Sequence, residues 1–216
     1  MSRCLPATVL HRFLHCCLNR RLDRRLHAAR LLLPAILLMP AWAAAHGSAD
    51  AGAHHGFVAG LLHPFTGLDH LLAMLAVGLW AAQAPRRIWV APVAFANLML
   101  VGALNQWPAT LSVLIEPLVA ASVLVLGLLL LRRVRWPGLA MAALAGGFAL
   151  FHGAAHATEL SGGAALAGML CGTLLLQAAG LAIGRWTHVQ QAPWAVQATG
   201  GAVASVGALL LVAGWV

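Results

Sequence analysis

Imidazoles and carboxylates recur in this chain at the spacings of metal ligands. His63 stands shortly before the pair Asp69-His70, and His152 and His156 are four residues apart with Glu159 three further on. Residues four apart share one helix face, and Glu159 follows about one turn along. Imidazole with carboxylate at such spacing suits a borderline divalent cation such as nickel, cobalt or zinc. Glu116 lies some way inside a hydrophobic run, at roughly 10 Å depth for a rise of about 1.5 Å per residue, level with His152. Farther upstream, His46, Asp50, His54 and His55 form a polar stretch, and an N-terminal His46 would chelate through both its amine and its ring. Each feature has a plainer reading. The histidines and Asp69 could be a polar network that only ties helices together, Glu116 could cap a break at Pro117, and the upstream stretch could be a spacer. Met74 reads as packing, and His188 as a solvated loop residue.

The elements that must hold these residues are hydrophobic helices. With 62% hydrophobic and 8% charged residues, in runs too long for a soluble core, the composition predicts an all-α, polytopic membrane protein. The runs lie at Gly67 to Gln83, Ile88 to Trp107, Ala109 to Leu131, Pro137 to Ala157, Gly162 to Gly184 and Trp194 to Trp215, which predicts six spans in one domain, residues 46–216. Before the first lies an apolar stretch, Gly56 to Pro64, too short to cross. Pro64 and Gly67 break it, so a re-entrant segment that dips into the outer leaflet and turns back, or a broken one, is expected, with Thr66 capping the helix from Leu68 and Asp69 in its first turn. Tryptophans at the run ends suit the headgroup layer. Gly168, Gly172, Gly180 and Gly184 put small residues one turn apart on the fifth run, for close packing within the subunit or for a homo-oligomer contact.

Charge sets the orientation. Arg86-Arg87, then Arg132, Arg133 and Arg135, then Arg185 fall in alternate connections, which the positive-inside rule places in the cytoplasm. The histidine motifs are then outside. The other seven arginines precede Leu31 to Ala45, a stretch below spanning length that ends in Ala43-Ala44-Ala45 as a signal-peptidase site would. Residues 1–45 are thus expected to be a cleaved leader, or, less well matched to that length, a retained anchor. The net charge of +8 resides largely there and gives no reason to expect a nucleic-acid partner. Cys171 is the one cysteine beyond the leader, so no disulfide framework or thiolate cluster is available. Lysine is absent, which excludes a Gly-Lys-Ser/Thr phosphate loop and transport driven by the chain's own ATP hydrolysis.

The segments His63 to Trp80 (HPFTGLDHLLAMLAVGLW), Glu116 with Ser122 to Leu130 (SVLVLGLLL), and Phe151 to Glu159 (FHGAAHATE) resemble the HupE/UreJ family of hydrogenase and urease accessory proteins. The resemblance covers essentially the whole chain after the leader. It implies a secondary nickel permease of the bacterial inner membrane, with cobalt as a further candidate substrate and no tightly bound cofactor. It also implies that the metal motifs are His63, Asp69 and His70, and His152, His156 and Glu159. Ala157 stands where the family usually has glycine. Three other classes are weighed beside it: a metal sensor or delivery protein, a membrane cytochrome with paired histidine ligands, and a zinc-dependent intramembrane enzyme. The last lacks any HExxH or serine-nucleophile signature.

Overall fold

The computed structural model of this chain describes residues 54–157 and 160–214. The expected leader, His46, Asp50, Glu159 and Trp215 lie outside the described residues. Seven helices form among these: α1 (Phe57–Thr66), α2 (Leu68–Ala81), α3 (Val90–Leu104), α4 (Ala109–Leu131), α5 (Gly138–Ala154), α6 (Gly163–Val189) and α7 (Pro193–Ala213). A parallel pair of two-residue strands, β1 (His54–His55) and β2 (Leu160–Ser161), joins the chain before α1 to the chain before α6. Gly56 and Gly162 each follow a strand at φ 107° and 92°, a region that residues with a Cβ rarely enter, and each turns its strand into a helix.

Each of the six hydrophobic runs holds one helix, α2 to α7. By length and composition α4, α6 and α7 can cross a membrane, and α1 with α2 would count as one more crossing if a pair bent by 86° is a single span. The remaining two, α3 and α5, are apolar but only 15 and 17 residues long. Prolines start three of the helices: Pro108 and Pro137 sit just before α4 and α5, and Pro193 opens α7, where the fixed φ is preorganised and no N–H is lost. Two helices close through non-glycine residues in the left-handed region. Arg133 (φ 52°) lets the Val134 N–H reach the Leu129 carbonyl after α4, and Gln191 (φ 51°) lets the Ala192 N–H reach Thr187 after α6.

Glycine decides which helices touch. A Cβ on Gly60 or Gly168 would collide with the backbone of Ala165 or of Phe57 and Leu61, and one on Gly78 or Gly180 with the backbone of Gln177 or Leu75. Thus α1 and then α2 lie against α6, and the contacts advance in the same direction along all three. The segment before α2 is a short helix of its own, set at 86° to α2 across a break at Gly67, with Pro64 inside α1. The glycines of α6 face α1 and α2 of the same chain, so the small-residue stripe serves packing within the subunit. Likewise Gly102 and Gly153 bring α3 and α5 together in parallel, and Gly127, Gly200 and Gly207 join α4 to α7 antiparallel.

Four details differ from the sequence reading. Gly67, not Thr66, occupies the cap position of α2, and the Thr66 hydroxyl donates back to the His63 carbonyl (2.7 Å). Pro117 lies inside an unbroken α4, so Glu116 caps no break. Helix α6 continues to Val189, which takes Arg185 and His188 out of the loop assigned to them. Trp80 is fully buried and is no headgroup anchor; its indole N–H donates to the Val134 carbonyl at 2.8 Å and its ring meets Trp136 edge-on. Trp80→Phe should therefore cost about 0.5–1.5 kcal/mol for that bond, read as a lowered thermal midpoint in detergent.

The parallel course of α2 and α6 carries Gln83, Ala84 and Pro85 to the same end as Arg185. There they line one cavity of about 600 Å³ with Arg133, Arg135, Thr187 and His188. This arginine end lies opposite the end at which the histidines gather.

Candidate metal centre

His63 sits one residue before Pro64 in the last turns of α1, Asp69 and His70 in the first turn of α2, His152 near the end of α5, and His156 in the turn after it. The break at Gly67 folds His63 back over His70, which a continuous helix would hold about 10 Å apart along its axis. His63, Asp69, His70 and His156, together with Glu116 on α4 and with Leu210 and Leu211 of α7, line one cavity of about 480 Å³. His152 does not line it. Its ring lies behind His70, with centroids 4.6 Å apart, is completely buried, and packs on Phe95.

Four of these side chains are joined in a row. Asp69 Oδ1 is 2.8 Å from His70 Nδ1 and also accepts the His70 backbone N–H at 2.7 Å. His70 Nε2 and His156 Nε2 are 2.7 Å apart, and His156 Nδ1 lies 2.8 Å from His63 Nε2. An ionised carboxylate can only accept, which sets the direction of the row when the rings are neutral. His70 donates from Nδ1, its Nε2 accepts from His156, and His156 Nδ1 accepts from His63. These tautomers follow from the bonding pattern. Asp69 is thus the group that orients three imidazoles, and the helix N-terminus beneath it favours its charge.

A second arrangement fixes His152. The Ser122 hydroxyl donates to the Val119 carbonyl at 2.6 Å, as hydroxyls inside helices do, so its oxygen must accept from His152 Nε2 at 2.7 Å. That leaves the lone pair on His152 Nδ1, a buried atom with no partner among the described residues. Imidazole that donates through one nitrogen and keeps a bare lone pair on the other is the form that binds a cation.

The structure therefore brings together His63, Asp69, His70, His156 and Glu116, with His152 stacked behind; Glu159 and His46 lie outside the described residues. Glu116 is exposed and contributes from across the cavity. Among the described residues no three His, Cys, Asp or Glu side chains surround one point as a formed metal site, because the imidazole nitrogens meet each other. Ser122 was missed as a site residue. Its signal in the sequence is a lone hydroxyl in an otherwise apolar stretch of α4, which spacing alone does not connect to α5.

A sequence profile of the HupE / UreJ proteins matches residues 34–210. The chain belongs to the HupE/UreJ family. Protein HupE of Rhizobium leguminosarum bv. viciae is 37% identical over 183 residues, which covers 82% of this chain and 94% of that protein. No solved structure matches. As a HupE/UreJ protein the chain is a membrane accessory protein and not an enzyme.

Proposed function

We propose that this HupE/UreJ protein is a secondary permease that carries nickel, and cobalt as a further substrate, across the bacterial inner membrane for hydrogenase or urease maturation. The observation that carries this reading is the cavity into which α1, α2, α4 and the turn after α5 deliver three imidazoles and two carboxylates. Ligands of this type suit borderline divalent ions, and several ionisable groups within apolar helices mark an ion pathway. The rings touch at 2.7–2.8 Å, a spacing with no slot for a haem plane between them, which favours a bare ion over a cytochrome.

In this account residues 1–45 are a leader removed on export, α2 to α7 cross the membrane, and the histidine end faces outward with the arginine end in the cytoplasm. The upstream stretch with His46 captures the hydrated ion; β1 and β2 pair that stretch with the segment that follows Glu159. The ion then exchanges water for His63, Asp69, His70, Glu116, His156 and Glu159, with His152 offering its bare Nδ1 from behind. Ser122→Ala should remove the bond that orients His152 and lower nickel uptake about 10–100-fold, the usual effect of losing an outer-shell partner.

The test is uptake of radiolabelled nickel by cells that lack their own nickel transporters, with cobalt and zinc as competitors. Saturable uptake above an empty-vector control is the expected result. Membrane-inserted protein that moves no nickel would contradict the proposal and leave a sensor or delivery role.

A further inference from the structure

Among the described residues, buried side-chain nitrogen or oxygen atoms without a hydrogen-bond partner occur in three places only: His152 Nδ1, both amide atoms of Gln177, and both amide atoms of Gln83. Native proteins satisfy nearly all such atoms, and each exception calls for a reason. These three are arranged in sequence through the molecule. His152 stacks behind His70 at the histidine end. Gln177, 1% exposed, lies at the middle of α6, and Gln83 follows α2 and lines the cavity at the arginine end.

Their order follows the parallel course of α2 and α6. The backbone of Gln177 packs on Gly78, which is about 12 Å along α2 from His70 at about 1.5 Å per residue. Gly184, which lines the arginine-end cavity, is about 10 Å farther along α6. Gln177 is thus midway between the two ends. One turn above it Thr173 is fully buried, and its hydroxyl donates to the thioether of Met99 at 3.6 Å, a weak acceptor. Thr173 and Gln177, four residues apart, share a face of α6 turned toward α3, beside the glycine face closed against α2, and offer hydroxyl and amide oxygens with little else to bind.

We propose that the conducting path of the permease passes the buried amide of Gln177, the midway coordination point for the divalent cation, with Gln83 as the next at the arginine end. This rests on the transport reading given above. Amide oxygen is a neutral donor that replaces one water of a divalent ion. It holds the ion less firmly than an imidazole and carboxylate cluster, and conduction needs sites weak enough to leave. An amide retained only for packing would be better replaced by leucine, since removing an unsatisfied polar group at constant shape is neutral or stabilising.

The experiment compares the full-length protein with Gln177→Leu, measuring radiolabelled nickel binding in detergent, thermal midpoint, and nickel uptake into proteoliposomes. The expected result is unchanged binding, an equal or higher midpoint and at least a tenfold loss of uptake rate. Uptake equal to wild type would overturn the path while leaving the permease intact. Loss of binding together with uptake would overturn it as well, by placing Gln177 in the entry site. Wild-type proteoliposomes that take up no nickel would overturn the permease reading and the path with it. If Gln177→Leu does not fold, Gln177→Met, of nearly the same shape, replaces it under the same criteria.

Discussion

His70→Ala is expected to abolish nickel uptake while membrane abundance stays near wild type. His70 is the one ring in the row bonded both to Asp69 and to another imidazole. Its removal frees the Asp69 carboxylate from its imidazole partner and takes from His156 the acceptor that orients it. Two imidazoles then lose the carboxylate that sets their tautomers, so the effect should exceed the roughly 10–100-fold that follows loss of an outer-shell partner. The fold should survive, because Asp69 keeps 33% of its side chain exposed and can be hydrated once His70 is gone. Membrane abundance by immunoblot and radiolabelled uptake in the same cells separate the two effects. Near-normal uptake by the variant would remove the histidine row from the mechanism.

Gly153→Ala is expected to destabilise the protein strongly, and Gly147→Ala to be silent or mildly stabilising. Both glycines lie on α5. A Cβ at Gly153 would fall 1.9 Å from the Met99 carbonyl oxygen and 2.8 Å from the Ala103 nitrogen, whereas one at Gly147 meets nothing within 4 Å. Backbone cannot move aside as a flexible side chain can, so α3 and α5 must separate, at about 1–3 kcal/mol or more for an overpacked contact. Gly147→Ala instead gains about 0.5–1 kcal/mol from the lower entropy cost of alanine in a helix. The separation at Gly153 would also carry His152 away from Ser122, so a variant that still folds should transport poorly. Thermal unfolding of both variants in detergent checks the pair, and equal midpoints would mean that α3 and α5 do not pack as closely as described here.

Helix positions were legible in this sequence because an apolar run in a chain with so few charges is a strong signal: the Ala109 to Leu131 run coincides with α4, and the others differ at their ends. Alternate arginine connections were equally legible, and they do gather at one end with Gln83 and Thr187. What the spacing could not show is the contact between elements distant in the chain. His63 touching His156 across 93 residues, and Ser122 holding His152, depend on glycines that let backbones meet, and nothing in a run of Ala, Leu and Gly says which helix each glycine faces. Trp80 illustrates the same limit. Its place at a run end suggested the headgroup layer, but the adjacent Gly78 and the Val134 carbonyl draw it into the core. The break before α2 was legible in Pro64 and Gly67, but a proline and a glycine mark a break without giving its angle, here 86°.

The measurement that tests the central claim most directly is nickel entry into proteoliposomes that hold only this protein, followed by a nickel-sensitive dye trapped inside. The account predicts saturable entry in wild-type vesicles and none in His70→Ala vesicles of equal protein content. Folded wild-type protein that binds nickel at the histidine cavity yet admits none would contradict it.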